Sequence, residues 1–124
     1  MRFTNVLSIC RIFATLTRVW TVETLNAQVD AELEALPDEM LARFWHIGQL
    51  IQSMGLDRVR GPHIDHIEGP IWEMRLKGRD GIARALYVTA REQRVVVLRV
   101  FVKKTQATPR REIEIALRRA KEIK

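Results

Sequence analysis

Residues 95–122 read VVVLRVFVKKTQATPRREIEIALRRAKE. From Val95 to Val102 the stretch is apolar and mostly β-branched except at Arg99, the pattern of a strand covered on both faces. It then stops on two cations, Lys103 and Lys104. Thr108 and Pro109 suit the N-cap and first position of a helix. Beyond them Ile113, Ala116, Leu117, Ala120 and Ile123 recur at helical spacing, while Arg110, Arg111, Arg118 and Lys121 lie elsewhere on the cylinder. A buried strand that ends in lysines and leads into a basic helix mounts positive charge on a rigid support.

Upstream, PIWEMRLK (70–77) alternates, with Trp72, Met74 and Leu76 on one side and Glu73, Arg75 and Lys77 on the other. GRDG (78–81) is a tight turn, IARALYVTA (82–90) a second strand, and REQ (91–93) another short link. Links this short join antiparallel neighbours, so three strands form a meander. Before them, WTVETLN (20–26) reads as a strand and Asn26 as a helix cap. Val29, Leu33 and Leu36 are spaced as a helix, with Asp30, Glu32 and Glu34 outward. After LPDE (36–39), Met40, Phe44, Ile47, Ile51 and Met54 mark a second, strongly amphipathic helix that Gly55 ends. The order is β-α-α-β-β-β-α, an α+β domain whose helices pack on one face of an antiparallel sheet and leave the other partly open.

The chain of 124 residues is enough for one domain, and 47% apolar content suits a packed core. A lone cysteine, Cys10, excludes an intrachain disulfide and a cysteine zinc site, and suits a reducing cytoplasm. No apolar run reaches membrane-spanning length. The net charge of +6 is uneven: residues 20–56 carry −5, residues 57–102 carry +3 and residues 103–124 carry +5. That polarity points to a polyanion on one surface. Residues 1–19 hold Arg2, Arg11 and Arg18 and no acid. Composition admits a mitochondrial-type presequence, but Arg11 interrupts the apolar part of a secretory signal. The reading adopted is that translation starts at Val19, making residues 1–19 an extension and 20–124 the domain.

On the open face, Arg75 and Lys77 join Arg99, Phe101, Lys103 and Lys104, so cations converge beside an aromatic ring. Phosphate seeks the first and a base the second. Arg84 and Tyr87, three apart on one strand, point to opposite faces. His63 and His66 in GPHIDHIEG (61–69) have no zinc-type spacing, so no metal or other cofactor is expected. His66 is instead a candidate for proton transfer or RNA contact. No phosphate-binding glycine loop, nucleophile elbow or Cys–His pair occurs.

These residues carry a resemblance. Trp72, Glu73 and Arg75, then Arg84 and Tyr87, then Phe101, Lys103, Lys104, Thr105, Thr108 and Pro109, and finally Glu112, Ile113, Ala116 and Arg119 resemble the phage-derived HigB branch of the RelE-type toxins. The likeness spans about residues 20–124. It implies a RelE-like fold and a ribosome-dependent, metal-independent mRNA endonuclease, the toxin of a type II toxin–antitoxin pair. Cutting would proceed by attack of a ribose 2′-OH on the neighbouring phosphate. The resemblance implies Arg75, Arg84, Tyr87, Lys103 and His66 as catalytic candidates, and Lys77, Arg79, Arg99, Phe101, Lys104, Arg110 and Arg111 as RNA contacts. Implied partners are the ribosome, mRNA, a helix-turn-helix antitoxin and, through that complex, operator DNA, with no membrane. The alternative is a non-catalytic basic module of the same fold that binds nucleic acid or inhibits gyrase.

Overall fold

The computed structural model describes residues 20–59, 63–79, 81–103 and 107–123. Residues 1–19 and Lys104 lie outside these. The elements are β1 (Thr21–Thr24), α1 (Ala27–Glu34), α2 (Asp38–Met54), a 3-10 turn (Leu56–Arg58), β2 (Ile64–Glu68), β3 (Ile71–Gly78), β4 (Gly81–Ala90), β5 (Arg94–Lys103) and α3 (Arg110–Ala120). The class is α+β, and the strands form one sheet in the order β1-β5-β4-β3-β2. β2 to β5 make an antiparallel meander, while β1 pairs with β5 in parallel. The sheet is therefore mixed, and it holds a strand the sequence pattern did not reveal. The IDHIE sequence of β2 has little apolar alternation to mark it as a strand. As an edge strand it needs none, and its charges and the bulge between His66 and Glu68 discourage further pairing.

Local chemistry explains the boundaries. The Asn26 side chain accepts the Val29 amide at 3.1 Å and opens α1. Gly55, with φ of 88°, ends α2 and donates its amide to Ile51. Gly78 closes β3 against α2. A Cβ there would meet Met40 Cγ at 2.9 Å, so the β3–β4 turn can approach the helix only as glycine. Pro109, not Thr108, occupies the N-cap position of α3. The Thr108 hydroxyl goes to Glu73 instead, at 2.8 Å.

Both sheet faces are covered in part, which corrects the expectation of helices on one side. Val29, Leu33, Met40, Phe44, Ile47 and Ile51 of the α1–α2 hairpin pack with Met74, Leu76, Ala83, Ala85, Tyr87, Val95 and Val97. On the other face Ala116, Leu117 and Ala120 of α3 pack with Ile71, Leu86, Val88, Val96 and Leu98. Strand alternation separates these two sets, so β4 and β5 are interior strands apolar on both sides. Asp30 turns inward rather than outward and accepts the Thr24 hydroxyl at 2.6 Å. Met54, by contrast, ends the α2 stripe in solvent. No helix among the described residues is long and apolar enough to cross a membrane.

Candidate functional site

α3 packs on β5, β4 and β3 and leaves a charged area beside its N-terminal end. Strand register builds that area. Arg75 on β3 faces Arg84 on β4, Arg84 faces Phe101 on β5, and Lys103 sits opposite Ile82 two pairs further along. Residues two apart share a face, so Glu73, Arg75, Lys77, Arg84, Phe101 and Lys103 all belong to the α3 side of the sheet. Arg75 and Lys103 lie two strand spacings apart, about 10 Å across the sheet, with Arg84 between them.

The buried Glu73 carboxylate organises the cluster. Arg84 Nη1 donates to its Oε2 at 2.5 Å, Arg75 Nε donates to the same oxygen at 3.4 Å, and Thr108 Oγ1 donates to Oε1. Arg75 also donates through Nη2 to Asp65 on β2 at 2.6 Å. The side chains of Arg84 and Glu73 are 3% and 2% exposed, whereas Arg75 keeps 39%. Arg75 is thus a cation aimed at solvent and held by two acids. Arg84 is sealed beneath it and acts by holding Glu73.

Lys103 is 9% exposed, and its ammonium has no hydrogen-bond partner among the described residues. Burial first, and then the charge of Arg84, push it below the ordinary lysine value, while Glu73 and Glu112 pull it back. Its surroundings are charged rather than apolar. Three donors held without an acceptor beside the Arg84 guanidinium can seat an anion.

The other candidates fall into three groups. Lys77 is exposed on the same face, and Phe101 is half-buried there. Arg111 is exposed in the first turn of α3, where Arg110 pairs with Glu68 and Glu114. Two arginines lie away from the cluster. Arg79 is at the β3–β4 turn against Glu39, and Arg99 is tied to Glu112 at 2.7 Å and Glu32 at 2.8 Å. Arg99 is a structural tie, not a free RNA contact. Tyr87 and His66 are not brought to the cations at all. Tyr87 packs in the hairpin-side core, 1% exposed, and burial raises its phenol well above the ordinary value. His66 pairs with Trp72 across the β2–β3 ladder, and their rings lie 4.9 Å apart. Asp65 was missed as a site residue because β2 was not read as a strand. Glu73 shared the parity of Arg75, but its burial was invisible in the sequence.

Among the described residues no three histidine, cysteine or acidic groups gather closely enough to hold a metal ion. The face presents cations fixed by carboxylates, an arrangement that can bind a phosphodiester and stabilise charge developing on it.

No curated protein matches the chain. One protein family does, that of phage derived protein Gp49-like (DUF891), over residues 31–121. The match begins in α1 and runs through every element of the cationic face to the end of α3. The family is RelE-like and associated with toxin–antitoxin systems, which makes an antitoxin the expected partner. With the fold, the cationic face and this match in agreement, the chain belongs to the phage-derived Gp49-like family.

Proposed function

We propose that the protein is a HigB-type toxin that cuts mRNA on the ribosome, with the Arg75–Arg84–Lys103 face as its active site. The observation that carries this reading is the buried Lys103 ammonium, unpartnered among the described residues and beside the Arg84 guanidinium that Glu73 locks. In the reaction a ribose 2′-oxygen bonds to the adjacent phosphorus and the bond to the 5′-oxygen breaks. The 2′-hydroxyl loses its proton, and the departing 5′-oxygen gains one. Products are a 2′,3′-cyclic phosphate and a 5′-hydroxyl. Negative charge builds on the phosphoryl oxygens, where Arg75 and Lys103 stabilise it. Arg84 keeps Glu73, and through it Arg75, in place. His66 and Tyr87 lie behind the sheet and take no part at the phosphate. Lys77, Phe101 and Arg111 supply backbone and base contacts along the same face, and Lys104, next in sequence to Lys103, would extend them. The antitoxin would be a helix-turn-helix protein whose complex with the toxin binds operator DNA.

A second reading is favoured by the sealing of Arg84 and the near-burial of Lys103. In it the face binds nucleic acid, or the protein poisons gyrase, without cutting RNA. The two part in one experiment, the mapping of mRNA 5′ ends after induced expression. Arg75→Ala with Lys103→Ala should abolish codon-register cuts that the unaltered protein makes. Growth arrest with no such cuts from the unaltered protein would give the second reading the field.

A further inference from the structure

The aromatic and titratable residues left out of the cationic face meet on the other side of the sheet. Trp20, His66, Trp72 and Tyr87, with Asp57 and Thr89, line a cleft of about 620 Å³ beside the 3-10 turn. That volume falls within the usual range for small-molecule sites. Its walls come from the start of β1, from β2, β3 and β4, so one framework holds rings that are far apart in sequence. Trp72 is 38% exposed, high for an indole. The Tyr87 hydroxyl has no hydrogen-bond partner among the described residues. His66 Nε2 lies 2.8 Å from the Gly69 carbonyl. With Nε2 donating there, Nδ1 is the imidazole's remaining acceptor. No lysine or arginine is among the described lining residues.

We propose that this cleft is a second binding site, for a flat nitrogen heterocycle of nucleobase or nucleoside size, uncharged or cationic. Indole walls stack on any π face. A free phenolic donor and an imidazole acceptor match the alternating donors and acceptors of a heterocycle's edge. Among the described lining residues Asp57 and Asp65 are charged and none is cationic, which disfavours a phosphate; Asp65 also holds Arg75, so the two sites adjoin at β2. The site stands whether or not the protein cuts RNA.

The test is titration of the purified full chain with the four common ribonucleosides and with AMP, followed by indole fluorescence and calorimetry. At least one nucleoside should bind saturably, and adenosine should bind more tightly than AMP. Trp72→Ala should weaken the best nucleoside roughly tenfold, Tyr87→Phe about threefold, and Lys77→Ala, on the α3 side of the sheet, not at all. Trp72→Phe, which keeps a ring and the fold, should retain most of the affinity. A short single-stranded RNA identifies the source of the base. If Trp72→Ala weakens its binding, the strand delivers the base; if only Arg75→Ala does, the ligand is a free heterocycle. Failure of every nucleoside to saturate at millimolar concentration overturns the proposal. So does binding that Trp72→Ala and Tyr87→Phe leave intact, or that Lys77→Ala abolishes.

Discussion

Lys103 holds a charge in a place where charge is costly. Its ammonium is buried, lacks an acceptor and lies near the like charge of Arg84. Lys103→Met keeps most of the packing and removes the charge, so it should raise stability by about 1 kcal/mol while abolishing RNA cutting. Denaturant unfolding and 5′-end mapping on the same variant check both halves. Tyr87 gives a second residue-level test, because it is the chain's single tyrosine. Its phenol is raised from 10.0 by burial. The folded state thus holds the phenolic proton more tightly than the unfolded state does. The associated stability is intact below pH 10 and falls as pH rises above it, by about 1.4 kcal/mol per unit. Tyrosinate absorbance should appear only with unfolding, and Tyr87→Phe should lose less stability than the unaltered chain between pH 9 and pH 11. The separation of Tyr87 from Arg84 was legible in the sequence, since residues three apart on a strand take opposite faces. The convergence of Arg75 with Lys103 was legible from the same parity. The closure of Arg84 under Glu73 was not, because burial depends on neighbours in space.

Three elements are joined through one carboxylate. Glu32 of α1 accepts Arg99 of β5 at 2.8 Å, Arg119 of α3 at 3.0 Å and the Val100 amide at 3.0 Å. β1 pairs with β5 only as far as Val97. Val100 would otherwise offer an open strand-edge donor, and Glu32 closes it. Arg119 also donates to the Leu98 carbonyl at 2.7 Å, fixing α3 beside the bulge in β5. Glu32→Ala leaves two largely buried guanidinium groups short of an acceptor and should cost about 3 kcal/mol. Denaturant unfolding measures the loss, and Val100 should lose amide-exchange protection before the centre of β4 does. This joint also shows where sequence reading ends at the level of elements. Periodicity revealed α1, α2, α3 and the three long strands, because each has an apolar face. Glu32 read as outward on α1 because nothing local says that α3 crosses to the far face of the sheet. The side chosen by α3 follows from Leu86, Val88, Val96 and Leu98, which give interior strands a second apolar face. A strand pattern apolar on both parities was the available signal, and it called for cover on both sides.

Charge is divided over the whole molecule. The segment that carries the α1–α2 hairpin is acidic, with −5 over residues 20–56, and the later segments are basic. The sheet lies between the hairpin and α3, so its α3 side faces a polyanion without the hairpin's acids intervening. The cations there include half-buried Arg75 and exposed Lys77 and Arg111. Each phosphate of a single strand that they neutralise should contribute about 0.7 to the slope of log affinity against log salt. Lys77→Ala with Arg111→Ala should therefore flatten that slope by about 1.4 and weaken binding evenly across RNA sequences. Arg91, exposed in the β4–β5 turn at the opposite end of β5 from Lys103, is the matched control. Arg91→Ala alters net charge by the same amount per substitution but should leave the slope unchanged. Equal flattening by either change would mean that the molecule answers RNA through its total charge. Flattening confined to the Lys77 and Arg111 variant would place the phosphates along the α3 side, where Arg75 and Lys103 can reach the chain between them.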